Sequence, residues 1–137
     1  MLTPHDGEFL RLGGDPKADD RTREAMRLAS RSHAVVLLKG SRTVITDGLN
    51  TYVNHTGNPG LATGGSGDVL AGMIVSLLGQ HIMPLEAAAA AAWLLGAAAD
   101  LAARELGNTA WCRRICFAHS ATFTVRVILL RKNLRCS

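Results

Sequence analysis

From Asn58 to Gly72 the chain reads Asn-Pro-Gly-Leu-Ala-Thr-Gly-Gly-Ser-Gly-Asp-Val-Leu-Ala-Gly, a glycine-dense stretch that delivers one carboxylate, Asp68, and then turns apolar. Glycines let the backbone approach a ligand closely, and the first free N–H groups of the helix that follows point into the loop. The helix macrodipole adds a partial positive charge there, so the junction suits an anion such as a phosphate. Asp68 is the odd member. A carboxylate in a first turn stabilises the helix, but beside a polyphosphate it repels unless a metal or a substrate hydroxyl lies between them. That combination points to a base that takes a proton from a hydroxyl as the hydroxyl attacks phosphorus. The loop lacks the Lys-Ser or Lys-Thr pair of a P-loop and is not a dinucleotide Gly-x-Gly-x-x-Gly turn.

The surrounding pattern reads as an α/β chain. Asp19 or Asp20 caps a helix to about Arg31 that turns Ala25, Leu28, Ala29 and Met26 inward. Ala34 to Leu38 is a continuous apolar run, expected of a strand buried on both faces of a parallel sheet. Arg42 to Thr46 and Thr51 to Asn54 form a hairpin turning at Asp47-Gly48. After the glycine loop come a helix from Gly67 or Asp68 to Leu78 and a long Ala-rich helix from Pro84 to Leu106, ended by Gly107. Trp93 on that helix is expected as a core anchor, and His55, His81 and Met83 as surface or packing residues.

Four segments occur in order: Leu2-Thr3-Pro4-His5-Asp6-Gly7-Glu8-Phe9, Val35 to Thr43, Asn54 to Gly60, and Gly64-Gly65-Ser66-Gly67-Asp68. Together they closely resemble the ADP- or ATP-dependent NAD(P)H-hydrate dehydratases, repair enzymes of ribokinase-like fold, from about Leu2 to Gly107. The resemblance implies the C-terminal portion of a three-layer α/β fold with a mainly parallel sheet. It implies a nucleotide site at Lys39, Gly40, Ser41, Arg42, Thr43, Asn58, Thr63, Gly64, Gly65, Ser66 and Gly67. His5 would contact the hydrated nicotinamide, and Asp68 would bind substrate and act as the catalytic base. Glu8 is open between capping a short helix, Glu8 to Leu12, and touching substrate or metal. The expected partners are NAD(P)H hydrate and ADP or ATP, with Mg²⁺ bridging the nucleotide phosphates and no metal ligated by the protein alone. Homo-oligomers are common in the family; nucleic acid and membranes are not expected partners. Leu95 stands where the family commonly has histidine, a loss of polarity near the nucleotide loop. A small-molecule kinase of the same fold is the nearest alternative, since Gly-x-Gly-Asp serves phosphoryl transfer generally, and an inactive fragment is the non-enzyme alternative.

In the family the Thr-Pro-His segment lies in mid-domain, whereas here it follows Met1, so residues 1–107 read as a partial domain. The composition then changes. Residues 108–137 hold all three cysteines, six Arg or Lys and no acid, while residues 1–107 carry nine Lys or Arg against eleven Asp or Glu. The overall charge of +4 therefore comes from the tail and argues for no polyanionic partner of the domain. With no cysteine before residue 108 and no basic stretch with an apolar run at the start, a reducing cytoplasm is expected. The Ala-rich helix carries Glu86 and Asp100 and suits close helix packing better than a membrane span. Ala110 to Phe117 can be encoded GCA TGG TGY CGN CGN ATH TGY TTY, which read from the A of its first codon permits Met-Val-Pro-Ala-Asp-Leu-Leu, similar to the family's own continuation. Residues 108–137 are thus expected to be a frameshift product outside the domain. Sequencing the encoding DNA should reveal a single-base frame in which the family-like ending resumes; its absence removes the hypothesis.

Overall fold

The computed structural model of the protein describes residues 1–106. The expected stop at Gly107, the domain boundary there and the basic tail all lie outside the described residues. Helix α1 (Asp6–Arg11) and helix α2 (Arg21–Ser32) precede strands β1 (Val36–Leu38), β2 (Thr43–Thr46) and β3 (Thr51–Asn54). A 3₁₀ turn (Pro59–Ala62), helix α3 (Ser66–Gly79) and helix α4 (Pro84–Leu106) complete the order.

The sheet corrects the expected parallel topology. Its order is β1-β2-β3, and both pairs are antiparallel: Leu37 faces Ile45, and Ile45 faces Tyr52. Parallel strands need a crossover of a dozen or more residues, which the short connections at residues 39–42 and 47–50 do not supply. Among the described residues, parallel pairing is confined to a bridge between Leu2 and Val36, where Leu2 N–H donates to Val35 O at 2.8 Å and Leu37 N–H to Leu2 O at 2.8 Å. The continuous apolar run of β1 reported double burial rather than strand direction. Val36, Leu37 and Leu38 are indeed fully buried.

Side chains alternate across the pleat, so the two faces of β1 and β2 feed two cores. Leu37 and Ile45 pack against Leu70 and Ile74 of α3 and Ala88, Ala91, Ala92 and Leu95 of α4. Val36, Leu38 and Val44 pack against Phe9 of α1 and Ala25, Leu28 and Ala29 of α2. Asp20 caps α2 as expected, its carboxylate accepting from Arg23 N–H at 2.9 Å. The result is three layers, helices on either side of a small sheet.

By length and composition, α4 is apolar enough to cross a membrane, yet half of that span is buried against the rest of the protein. Its stripe at Ala88, Ala91, Ala92, Leu95, Ala98, Ala99 and Ala102 recurs every three or four residues and is buried. Trp93 falls on the opposite side and is 49% exposed, so it is not the expected core anchor. Leu95 lies inside the sheet–helix core, where an apolar side chain is the better fit. Replacing Leu37 with Ala should cost about 2–5 kcal/mol through lost burial and a residual cavity. Urea unfolding would register this as a lower midpoint at an unchanged slope.

Candidate functional site

The glycine loop is built outward from α4. Where the chain leaves β3, Asn54 Nδ2 donates to Thr56 O at 3.1 Å and to Ala92 O at 3.3 Å, and the Thr56 hydroxyl lies 3.0 Å from Trp93 O. Backbone approaches backbone here: a Cβ on Gly96 would stand 2.6 Å from both the carbonyl carbon and oxygen of Thr56. One turn further on, the Asp100 carboxylate accepts from Gly57 N–H at 2.9 Å and from Asn58 Nδ2 at 3.1 Å. Asn58 Oδ1 accepts from Gly60 N–H at 3.1 Å and so caps the 3₁₀ turn.

The chain enters α3 through Gly65 in the left-handed region, φ 95°, with no side chain capping the helix. Ser66 is held from below, its hydroxyl donating to Leu61 O at 2.7 Å and lying 3.0 Å from Thr63 O. The amides of Gly64, Gly65, Gly67 and Asp68 have no acceptor among the described residues. Uncapped amides at the positive end of a helix dipole form a receptive site for negative oxygen. Asp68 projects from this first turn, exposed and without a hydrogen-bond or ion-pair partner among the described residues.

The Thr-Pro-His segment meets the same region through Lys39. Lys39 N–H donates to Pro4 O at 2.9 Å, continuing the parallel contact of Leu2 along β1. Its ammonium lies 3.8 Å from Glu8 Oε2, and a Cβ on Gly67 would stand 3.6 Å from that ammonium. Glu8 belongs to a capping box. His5 Nδ1 accepts from the Gly7 and Glu8 amides at 3.0 and 3.3 Å, while Glu8 Oε2 accepts from His5 N–H at 2.8 Å. Because Nδ1 is used as an acceptor, the neutral ring carries its proton on Nε2, which lies 3.6 Å from Glu8 Oε2. His5 can therefore offer a ligand a donor. The helix itself runs Asp6–Arg11 rather than the expected Glu8 to Leu12, since the cap at His5 starts it two residues earlier. Arg21 ties the segment down, its Nη2 donating at 2.6 Å to both Asp6 Oδ1 and Lys39 O.

The sequence-derived residues thus fall into two groups. Lys39 stands beside Gly67 at the start of α3, next to Asp68 and after the loop of Asn58, Thr63, Gly64, Gly65 and Ser66, and Glu8 links Lys39 to the cap at His5. Gly40, Ser41, Arg42 and Thr43 instead form the tight β1–β2 connection, where the Thr43 hydroxyl donates to Gly40 O at 3.1 Å. Gly40, Ser41 and Arg42 are exposed there, and Arg42 has no ion pair among the described residues. An open cleft of about 360 Å³ lies along the Thr-Pro-His segment, lined by Leu2, Thr3, Pro4, Glu8, Arg11 and Leu12, and does not include Asp68. Sequence reading missed Arg21, Asn54, Thr56, Gly96 and Asp100. The clues were present, since a glycine inside a helix and an acid amid alanines both call for a partner.

The family model described as NAD(P)H-hydrate dehydratase matches residues 1–116. The bifunctional NAD(P)H-hydrate repair enzyme Nnr of Moorella thermoacetica is 53% identical over 115 residues, covering 80% of this chain and 22% of the relative. The ADP-dependent (S)-NAD(P)H-hydrate dehydratase of Neisseria meningitidis is 46% identical over 114 residues, 80% of this chain and 38% of the relative. Among solved structures, the ADP/ATP-dependent NAD(P)H-hydrate dehydratase of Bacillus subtilis co-crystallised with ATP and Mg²⁺ superposes with a TM-score of 0.80 at 34% identity, covering 91% of this chain and 47% of that one. The chain spans less than half the length of each of these proteins.

The backbone hydrogen bond from His5 holds the Glu8 carboxyl below its ordinary pKa; desolvation opposes it, and the charges of His5, Lys39 and Arg11 add to the lowering. A carboxyl whose folded pKa is depressed stabilises the fold above its unfolded pKa, and the contribution is lost as pH falls through the folded value. Glu8→Gln should therefore lower stability at neutral pH and flatten its acid-side dependence. Urea unfolding of both chains down through the carboxylate range should show the two curves converging.

Proposed function

The chain belongs to the NAD(P)H-hydrate dehydratase family, and from that premise we propose that its site serves the nucleotide-dependent dehydration of hydrated NADH or NADPH. The observation that carries the reading is the nearness of the Lys39 ammonium to Gly67, whose amide is uncapped, immediately before a carboxylate with no partner among the described residues. Amides and ammonium stabilise negative oxygen while Asp68 stands ready for a proton, the division of labour phosphoryl transfer requires.

In this reading the terminal phosphate of ADP or ATP lies over the Gly64, Gly65 and Gly67 amides, with the loop side chains Asn58, Thr63 and Ser66 shaping its bed. Asp68 takes the proton of the substrate hydroxyl as its oxygen bonds to phosphorus and the bond to the leaving nucleotide breaks. Lys39 offsets the charge on the transferring group. The phosphate so attached is a far better leaving group than hydroxide. Its departure, with loss of a ring proton, restores the nicotinamide ring. His5 presents its Nε2–H to the substrate, and the exposed Gly40 to Thr43 connection borders the nucleotide.

Among the described residues no group of three His, Cys, Asp or Glu could cage an ion. Carried in on the nucleotide substrate, Mg²⁺ would supply neutralisation of phosphate charge, with no described side chain assigned to hold it. The break in composition after Gly107 supports a domain boundary near there, the family model itself running on to residue 116. Asp68→Asn should lower turnover by about 10²–10⁴-fold, the range for a lost general base, with MgADP affinity little changed. The assay is recovery of nicotinamide absorbance from NADH hydrate. Undiminished turnover refutes the base, and a stable phosphorylated product points to a kinase instead.

A further inference from the structure

We propose that Asp100, on α4, is a positioning residue that sets the conformation of the anion loop through the side-chain amide of Asn58; this rests on the nucleotide reading above. The argument begins with what each group can do. A carboxylate only accepts hydrogen bonds, while an Asn amide accepts on one side and donates on the other. With Asp100 Oδ1 3.1 Å from Asn58 Nδ2, the amide has one acceptable orientation: NH₂ towards α4 and carbonyl oxygen towards Gly60 N–H, 3.1 Å away.

That orientation caps the 3₁₀ turn, whose carbonyls in turn hold the next element. Leu61 O accepts the Ser66 hydroxyl at 2.7 Å, and Thr63 O lies 3.4 Å from Ser66 N. Ser66 opens α3, so the alignment of the Gly67 and Asp68 amides is tied by successive hydrogen bonds to a carboxylate on another helix. The second oxygen of Asp100 fixes Gly57 N–H at 2.9 Å, anchoring the near end of the same loop. Asp100 makes no ion pair among the described residues, so these two donors are what its charge answers to.

Asp100→Asn tests the relay. Turned to accept from Gly57, the new amide presents NH₂ to the Asn58 NH₂; Asn58 must flip, which removes the acceptor from Gly60, or lose its contact. In the unaltered 137-residue chain, amide hydrogen exchange gives the reference protection of Gly57, Gly60, Leu37 and Ile45, and MgADP titration gives the affinity. The substitution should speed exchange at Gly57 and Gly60 and weaken MgADP binding, each by at least about tenfold, the scale of a lost hydrogen bond to a charged group. Leu37 and Ile45 should stay protected. The reciprocal variant Asp100→Asn with Asn58→Asp restores a donor facing an acceptor and should recover Gly60 protection. Unchanged Gly60 exchange, unchanged MgADP affinity with a disturbed loop, or an equal loss of protection at Ile45 would each overturn the proposal, the last because it marks global destabilisation. If global unfolding obscures the single variant, failure of the reciprocal pair to protect Gly60 overturns it equally. Absence of MgADP binding by the unaltered chain overturns the nucleotide reading instead, and Gly60 exchange then decides the relay by itself.

Discussion

The contact between the backbone of Thr56 and the glycine at position 96 governs the geometry on which the rest of the site depends. With no side chain on Gly96, the segment leaving β3 can lie against α4, close enough for Asn54 and Thr56 to bond its carbonyl oxygens and for Asp100 to reach the loop amides. A glycine within a helix costs about 1 kcal/mol relative to alanine, a penalty offset here by the bonds that the close approach permits. Helix α4 thereby acts as a fixed reference. Its apolar stripe is locked into the sheet and its adjoining face positions the loop, so packing and chemistry share one rigid element.

The charges follow the same logic. Three strands of small area and two Ala-rich cores leave little room for buried polar groups, and the single buried polar side chain among the described residues, Thr46, is satisfied by Asn50 O at 2.7 Å and Gly48 N–H at 3.0 Å. Several charged side chains accordingly cluster where elements begin and end. Glu8 balances Lys39 beside the start of α3, Arg21 ties Asp6 to the end of β1, and Asp68 has no partner among the described residues. Exposed pairs of this kind contribute little to stability, so their value is in fixing where each group stands. Lys39 is the joint between two segments far apart in the chain.

Much of this was legible beforehand wherever a local rule decided the outcome. The cap at Asp20, the inward face of Ala25, Leu28 and Ala29, the Asp47-Gly48 turn and the start of α4 at Pro84 depend on neighbours within a few residues. The expected parallel sheet failed because a continuous apolar run reports burial on two faces, and antiparallel strands between two helical layers are buried in the same way. Trp93 was misplaced because size suggested a core role, whereas its angular position on α4 decides its exposure. In the candidate site the glycines and Asp68 were readable from spacing and Lys39 and His5 from the ordered motifs. Asp100 and Arg21 were not, since their partners lie 42 or 43 and 15 or 18 residues away.

The amino-acid sequence by itself determined the family, the helices and strands, and the presence of an amide-rich turn ahead of a single acid, because these depend on residue type and short spacing. Tertiary structure alone decided the direction of the strands, the outward side of α4 and the grip of Asp100 on the loop. Those features arise where distant backbones meet, and a hydrogen bond between such segments exists only once packing has brought its donor within about 3 Å of its acceptor.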